Sequence, residues 1–366
     1  MSQKIKVSVL GATGMVGQNF LRLLHGHPWF QIVDVAASPR SAGKTYADAV
    51  GENWFMPSEI PAGIKNLIVR DSQDIDIIPE EVNCIFSAMD LPDNKDTREL
   101  EFSYAKAGYP IVSTSSANRG TEDVPMIIPE INPEHANVIP IQQANRGLPK
   151  SGFVAVKPNC SIQSYLVTLA ALKNAGFPVN KVQVTSLQAV SGAGQAGIQS
   201  EEMKDNVIPF IGGEEEKTEN EPLKILGSVS GNGIVNSNQI DISAVCTRVS
   251  VIDGHTAVVH AGFKEEVPSL EKIKSIWKNF RALPQKDAFP MAPEKPIIYL
   301  EEKDRPQPKL DRDVDKGMAV SVGRLVEDKF FDIRYVALSH NTIRGAAGGA
   351  ILMAELLVEK EYINAK

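Results

Sequence analysis

Short apolar runs alternate along the chain with segments whose apolar residues recur every three or four positions. Residues 4–10, Lys-Ile-Lys-Val-Ser-Val-Leu, read as a short buried strand. After a glycine-rich turn, Phe20, Leu21, Leu23 and Leu24 mark an amphipathic helix, and residues 31–37 form the next strand. Further apolar runs predict strands at 66–70, 84–88, 111–113 and 138–140, with a helix carrying Arg98, Phe102 and Ala105 between the middle two. Strands alternating with helices in this way predict an open, mostly parallel sheet.

The pattern changes after Pro158. Segments 181–190, 240–252, 255–264 and 319–326 are strand-like with more polar alternation, which predicts a mainly antiparallel sheet with helices on one side, 269–281 being one of them. Residues 206–224 are polar, rich in Gly and Glu, and long for a connection, so they read as functional or interfacial. The last segment, 342–359, predicts a helix whose small-residue start (Gly345-Ala346-Ala347-Gly348-Gly349) suits a return to the first half beside a cofactor. The expected fold is α/β: a Rossmann-like dinucleotide-binding domain of residues 1–157 and 342–366, and a second, α+β catalytic and dimerisation domain of residues 158–341.

Composition narrows the function. With 366 residues, 43% hydrophobic and 23% charged, two domains are expected. A net charge of −7 argues against nucleic acid or an anionic membrane as partner, while leaving room for a local cationic pocket around a small anion. Three cysteines without a CxxC pair fit a reducing compartment and offer neither a disulfide framework nor a zinc site. The start lacks a signal-peptide apolar region and no apolar run reaches spanning length, so the expected location is cytoplasmic.

The turn after the first strand is Gly11-Ala12-Thr13-Gly14-Met15-Val16-Gly17, a G-x-x-G-x-x-G loop. Its glycines permit a tight turn and let a pyrophosphate approach the helix N-terminus. NAD sites place an acid at the tip of the second strand to hold the ribose 2′-hydroxyl. Here the tip carries Ser38 and Arg40, which suit a 2′-phosphate, whereas Asp34 lies inside the strand. NADP is the expected cofactor.

Chemistry points to Lys157-Pro158-Asn159-Cys160-Ser161. An apolar strand runs into the proline, and a helical pattern restarts at Ile162, Leu166, Leu169 and Leu172, which sets Cys160 at a helix start. Free amides and the helix dipole favour an anion there, and thiolate is the nucleophilic form of cysteine. A cysteine nucleophile needs a proton partner and a substrate clamp. Candidates are His255, after a Gly-containing turn, with Arg248 and Ser250 on one face of the preceding strand. Gln188 can orient substrate, and Ser191-Gly192 can approach a nicotinamide.

Six collinear motifs give the chain a family resemblance: Gly-Ala-Thr-Gly-Met-Val-Gly, Ser-Ser-Ala-Asn-Arg at 115–119, Pro-Asn-Cys-Ser at 158–161, Gln-Ala-Val-Ser-Gly-Ala-Gly at 188–194, Glu-Pro-Leu-Lys at 221–224 and Arg-Val-Ser-Val-Ile-Asp-Gly-His at 248–255. In that order they resemble aspartate-semialdehyde dehydrogenase over nearly the whole chain, and the Glu-Glu-Glu-Lys…Glu-Pro-Leu-Lys stretch is most similar to the archaeal and fungal branch. The resemblance implies a glyceraldehyde-phosphate-dehydrogenase-like fold, a homodimer or homotetramer, and a role in making lysine, methionine, threonine and isoleucine. It implies that Cys160 is the nucleophile, His255 the acid–base and Gln188 the residue that orients the acyl group. Arg248 would grip the substrate carboxylate, Glu221 its ammonium, and Arg119 and Lys224 the phosphate, with Asn159 beside them. Cofactor contacts would come from Gly11, Thr13, Gly14, Met15, Val16, Ser38, Arg40, Ser87, Ser191, Gly192 and Asn341. The implied reaction is NADPH-dependent reduction of β-aspartyl phosphate to the semialdehyde through a cysteine thioester.

Malonyl-CoA reductase and N-acetyl-glutamyl-phosphate reductase share the fold and would keep Cys160 and His255; a substrate with both ammonium and carboxylate favours the first reading. A non-catalytic dinucleotide sensor would not need the intact Cys, His, Gln and Arg set. The cofactor reading is testable by Arg40→Asp, which is expected to weaken NADP binding far more than NAD binding, measured by titration calorimetry with each. Equal losses would show that this loop does not read the 2′ position.

Overall fold

The structure is a computed structural model and describes residues 3–365. Six parallel strands, β1 (Ile5–Leu10), β2 (Phe30–Ala37), β3 (Val69–Asp71), β4 (Cys84–Ser87), β5 (Pro110–Ser113) and β6 (Phe153–Val156), form one sheet in the order β3-β2-β1-β4-β5-β6. The order reverses beside β1, as in a doubly wound dinucleotide fold. Strand periodicity sends alternate residues to opposite faces. Val7, Val9, Phe86 and Ala155 enter one apolar cluster, whereas Leu10, Ile85, Val154 and Val156 enter another. The first cluster is closed by the Met15–Leu24 helix through Phe20, Leu21 and Leu24 and by the Gly348–Glu359 helix through Ile351, Met353 and Leu356. The C-terminal helix therefore shares the core of the first sheet.

The second sheet is built from β7 (Val179–Ala189), β8 (Val207–Ile208), β11 (Asp241–Val249), β12 (His255–Phe263), β13 (Ile297–Leu300), β14 (Val320–Glu327) and β15 (Ile333–Ser339). Its order is β13-β14-β15-β12-β7-β11-β8, and a separate hairpin pairs β9 (Ser228–Ser230) with β10 (Gly233–Val235). Pairing is mixed: β11 runs parallel to β7 and β13 to β14, and the other contacts are antiparallel. The apolar faces of the Leu166–Asn174 and Leu270–Asn279 helices pack on this sheet through Leu169, Leu172, Ile273 and Trp277.

Two close approaches hold the glycine loop. Gly11 has φ +72, and a Cβ there would lie 2.5 Å from the Ala88 carbonyl oxygen. A Cβ on Gly17 would lie 2.1 Å from the Gly11 carbonyl oxygen, so the helix can start this close only without one.

Three segments differ from the sequence expectation. Residues 138–140 are helical, not a strand: a 3-10 turn (Pro133–Val138) leads into the Ile139–Arg146 helix, whose Pro140 sits in the first turn, where a missing N–H costs nothing. Residues 206–224 are not an open connection, because Glu214–Ile225 is a helix with three glutamates in its first turn, where the dipole favours negative charge. Pro222 inside that helix disguises it in the sequence. After Cys160 the chain makes a 3-10 turn (Ser161–Ser164) before the α-helix starts at Leu166.

Candidate active site

A cleft of about 540 Å³ opens between the glycine loop and the second sheet, with Met15, Asn159, Cys160, Ser191, Glu214 and Asn341 among its walls. β6 ends at Val156, the Lys157 N–H donates to the Ser113 carbonyl at 2.9 Å, and Pro158 then turns the chain so that Cys160 faces this cleft. Behind the thiol runs the segment at Gly345, where a Cβ would come within 2.8 Å of the Cys160 Cβ. The small-residue start of the C-terminal segment thus makes room for the cysteine.

His255 is the first residue of β12 and fully buried, with its Nε2 3.4 Å from the Cys160 Sγ. Its other ring nitrogen, Nδ1, accepts the Ala189 N–H at 3.1 Å. A backbone amide can only donate, so Nδ1 carries no proton and the neutral ring bears its hydrogen on Nε2, facing the sulfur. Asn341 fixes the turn before His255: its Oδ1 accepts the Gly254 N–H at 2.8 Å and its Nδ2 donates to Ser191 Oγ at 2.8 Å. Arg248 donates to the Ala189 carbonyl at 2.8 Å and pairs in register with Gln188 on the neighbouring strand.

Burial pushes the His255 pKa down to about 3, helped by the positive charge of Arg248 and by His340 and Lys157. Burial also pushes the Cys160 thiol up, with Glu214 adding to it and Lys157, Arg119 and Arg248 opposing. This corrects the expectation of a thiol activated by a helix start: only a four-residue 3-10 turn follows Cys160, and burial raises the thiol.

Two Glu-x-x-Lys pairs lie seven residues apart on the Glu214–Ile225 helix, and the structure separates them. Glu214 and Lys217, bonded to each other at 3.1 Å, line the cleft beside Cys160. Glu214 also accepts from Asn159 Nδ2 at 3.0 Å and from Gln188 Nε2 at 3.2 Å. Glu221 and Lys224, the pair expected to bind substrate, are instead tied into the frame. Glu221 accepts the Asn159 N–H at 2.5 Å and Arg119 Nη1 at 3.1 Å, and Lys224 donates to the carbonyls of Arg119 and Thr121. Two helical turns restore the same face about 10 Å further along the axis, so spacing alone does not tell the pairs apart.

Other expected residues fall as follows. Gly14, Met15, Val16, Ser191, Gly192, Asn341, Asn159 and Arg119 line the cleft. Ser87 does not act through its side chain, because it is buried and donates to Glu101 at 2.8 Å; Ala88 and Met89 form that wall. Gln188 is buried behind Glu214. Thr13 lies in the turn, where its carbonyl accepts from Gln18 at 2.9 Å. Ser38 and Arg40 are exposed beyond the end of β2. Asp34, by contrast, is buried inside β2, and its Oδ2 accepts from Ser8 at 2.5 Å and from Arg70 at 3.0 Å. Sequence reading did not single out Lys157, which is buried at 2% exposure and lines the same cleft. The first-turn amides of the Met15–Leu24 helix have no side-chain cap, as a phosphate-binding helix start requires.

A doubly wound dinucleotide sheet whose last strand leads to a cysteine paired with a histidine from a second sheet defines a two-domain dehydrogenase. The chain belongs to the semialdehyde dehydrogenase family, within the aspartate-semialdehyde dehydrogenases of archaea and fungi. Residues 6–139 match the family's NAD binding domain and residues 169–344 its dimerisation domain. The chain is 44% identical over 362 residues to the aspartate-semialdehyde dehydrogenase of Archaeoglobus fulgidus, covering 98% of this chain and 100% of that one. It is 42% identical over 367 residues to that of Aspergillus fumigatus, covering 98% and 99%. The crystal structure of the Candida albicans enzyme with NADP superposes with a TM-score of 0.87 at 38% identity, covering 99% and 100%. Among the described residues no helix is long and apolar enough to cross a membrane.

The buried neutral histidine predicts an acid-labile fold. Unfolded, His255 takes its proton at its ordinary value of 6.5; folded, only near 3, so stability is complete above 6.5 and lost as pH falls between the two. Lowering pH from 6.5 to 5 should cost about 2 kcal/mol from this group alone. Urea unfolding of wild type and His255→Gln across that range checks it: the variant should lose less stability, by about one proton's worth of slope.

Proposed function

We propose that this chain catalyses the NADPH-dependent reductive dephosphorylation of β-aspartyl phosphate to L-aspartate 4-semialdehyde, in biosynthesis of the aspartate-family amino acids. The observation that carries the proposal is the Cys160–His255 pair, 3.4 Å apart, with Cys160 on the wall of the cleft that the glycine loop closes and His255 buried behind it. Gly14, Met15 and Val16 would hold the cofactor's phosphates and Arg40 with Ser38 its 2′-phosphate; the bound nicotinamide supplies a hydride.

The Cys160 thiol gives up its proton, which the departing phosphate takes up; the thiolate attacks the acyl carbon, the carbon–oxygen bond to phosphate breaks, and a thioester remains on the sulfur. Lys217 and Arg119 are the cations placed to neutralise the departing phosphate, and Arg248 suits the substrate carboxylate. Glu214 is the acid placed to meet the ammonium. Hydride addition to the thioester carbon gives an oxyanion that collapses to the aldehyde and returns the thiolate, so this half needs no net proton. His255, with its hydrogen fixed on Nε2, serves as the donor to the thiolate and to that oxyanion rather than as a base; removing one such donor costs about 10²–10³ in kcat. We assign residues 1–157 with 342–366 to cofactor binding and 158–341 to catalysis and assembly, and propose a homodimer or homotetramer built on the second sheet.

Reduction of NADP by L-aspartate 4-semialdehyde that depends on added phosphate tests the reaction; phosphate-independent or absent turnover would overturn it. The two Glu-x-x-Lys pairs give a sharper expectation. Glu214→Gln should cut kcat/KM by roughly 10²–10³, as expected for losing a charge-assisted contact, with little change in Tm. Glu221→Gln should lower Tm, because it unties Arg119 and the Asn159 amide.

A further inference from the structure

We propose that Lys157 is a charge-positioning residue: its buried ammonium, held beside the catalytic turn by the Pro158 carbonyl, replaces the imidazolium as the cation that stabilises the Cys160 thiolate. The proposal rests on Cys160 being the nucleophile assigned above.

Cysteine nucleophiles are commonly activated by a protonated histidine. That arrangement is closed here. A second ring proton on His255 would have to sit on Nδ1, where the Ala189 N–H already points at 3.1 Å, so an imidazolium would set donor against donor in a fully buried place. The thiolate therefore needs another source of positive charge.

Lys157 meets the requirement. It is three residues from Cys160, 2% exposed, and lines the same cleft. Its Nζ donates to the Pro158 carbonyl and pairs with no carboxylate among the described residues. The acids nearby are engaged elsewhere: Glu221 by Arg119 and the Asn159 amide, Glu214 by Lys217, Asn159 and Gln188. On its other side Lys157 borders a small cavity with Glu130 and Arg344, and these bond to each other at 2.9 Å. A buried ammonium without a counter-ion is costly. Its pKa accordingly falls to about 7, chiefly through burial and then through Arg119, while Cys160, Glu221 and Glu214 pull it back up. The sulfur is thus both what Lys157 stabilises and what stabilises Lys157. Arg119 and Arg248 also favour the thiolate, but the first is bonded to Glu221 and to two carbonyls and the second to the Ala189 carbonyl. His340, whose ring nitrogens contact Asp313 and Thr342, lowers the histidine further.

Alkylation by iodoacetamide, followed at the Cys160 peptide by mass spectrometry across pH 5 to 10, tests this on the intact protein without substrate, so its failure is distinct from failure of the proposed reaction. Lys157→Met should alkylate roughly 10- to 100-fold more slowly at pH 7, its alkaline limb displaced upward by one to two pH units. Lys157→Gln, which keeps a donor for the Pro158 carbonyl but no charge, should match it, and Lys157→Arg should restore most of the rate. Lys157→Met should also melt no lower than wild type, because an apolar chain replaces an unpaired buried charge. Wild-type alkylation profiles in both uncharged variants, or a lower Tm with an unchanged profile, would overturn the proposal and leave Lys157 structural.

Discussion

The carboxylate of Glu221 is the point on which the site hangs. One oxygen takes the Asn159 N–H at 2.5 Å and the other takes Arg119 at 3.1 Å. Arg119 in turn donates to the carbonyls of Lys157 and Thr114, at 3.0 and 2.9 Å. One glutamate thereby fastens the end of β6, the turn after β5 and the Glu214–Ile225 helix into a single frame. The turn that bears Cys160 has no regular ladder of its own, so its amides need partners from outside. Once the helix is clamped at Glu221, its first turn projects into the cleft, and Glu214 and Lys217 arrive beside the sulfur as a consequence of helix geometry.

The division of labour between the two ends of that helix explains what was and was not legible in the sequence. Strands β1, β2, β4, β7, β11, β12 and β14 were legible because their apolar periodicity is strong and turn residues bound them. Cys160 and His255 were legible because each sits in an unusual local context. The helix at 214–225 was not, since a proline and a glutamate run mask its period, and with it the identity of the substrate-facing acid was hidden. A pair at i, i+3 repeated after seven residues has the same appearance from either copy; only tertiary contacts distinguish the copy that faces the cleft from the copy that faces the frame. Ser87 failed for a related reason. A strand end places a residue near the cleft, yet its side chain points by strand parity into the helix layer, where Glu101 takes it. Ile139-Pro140 read as a strand because an apolar pair before a proline looks extended, whereas proline is equally at home in the first turn of a helix.

The histidine shows how a backbone group can decide side-chain chemistry. Neither motif nor spacing reveals that Ala189 aims its N–H at Nδ1, because that contact crosses from the end of β7 to the start of β12. It fixes the tautomer, excludes the doubly protonated ring and passes the burden of charge to lysine and arginine. The three cations around the sulfur differ in their partners: Arg119 is bonded to a carboxylate and two carbonyls, whereas Arg248 and Lys157 are each held by one backbone carbonyl. Stability is conceded at that position, whereas Asp34 with Arg70 and Glu130 with Arg344 form buried ion pairs.

The distribution of thiols has a practical side. Cys84 and Cys246 are buried, and burial holds both thiols well above their ordinary value, Cys246 at about 11. Cys160 is the partly open one. A soft electrophile should therefore consume one equivalent per chain, and the label incorporated counts competent sites in any preparation. The same asymmetry means that oxidative ageing of a stored sample would register as lost titre, at one atom, long before it registered as a change in the melting curve.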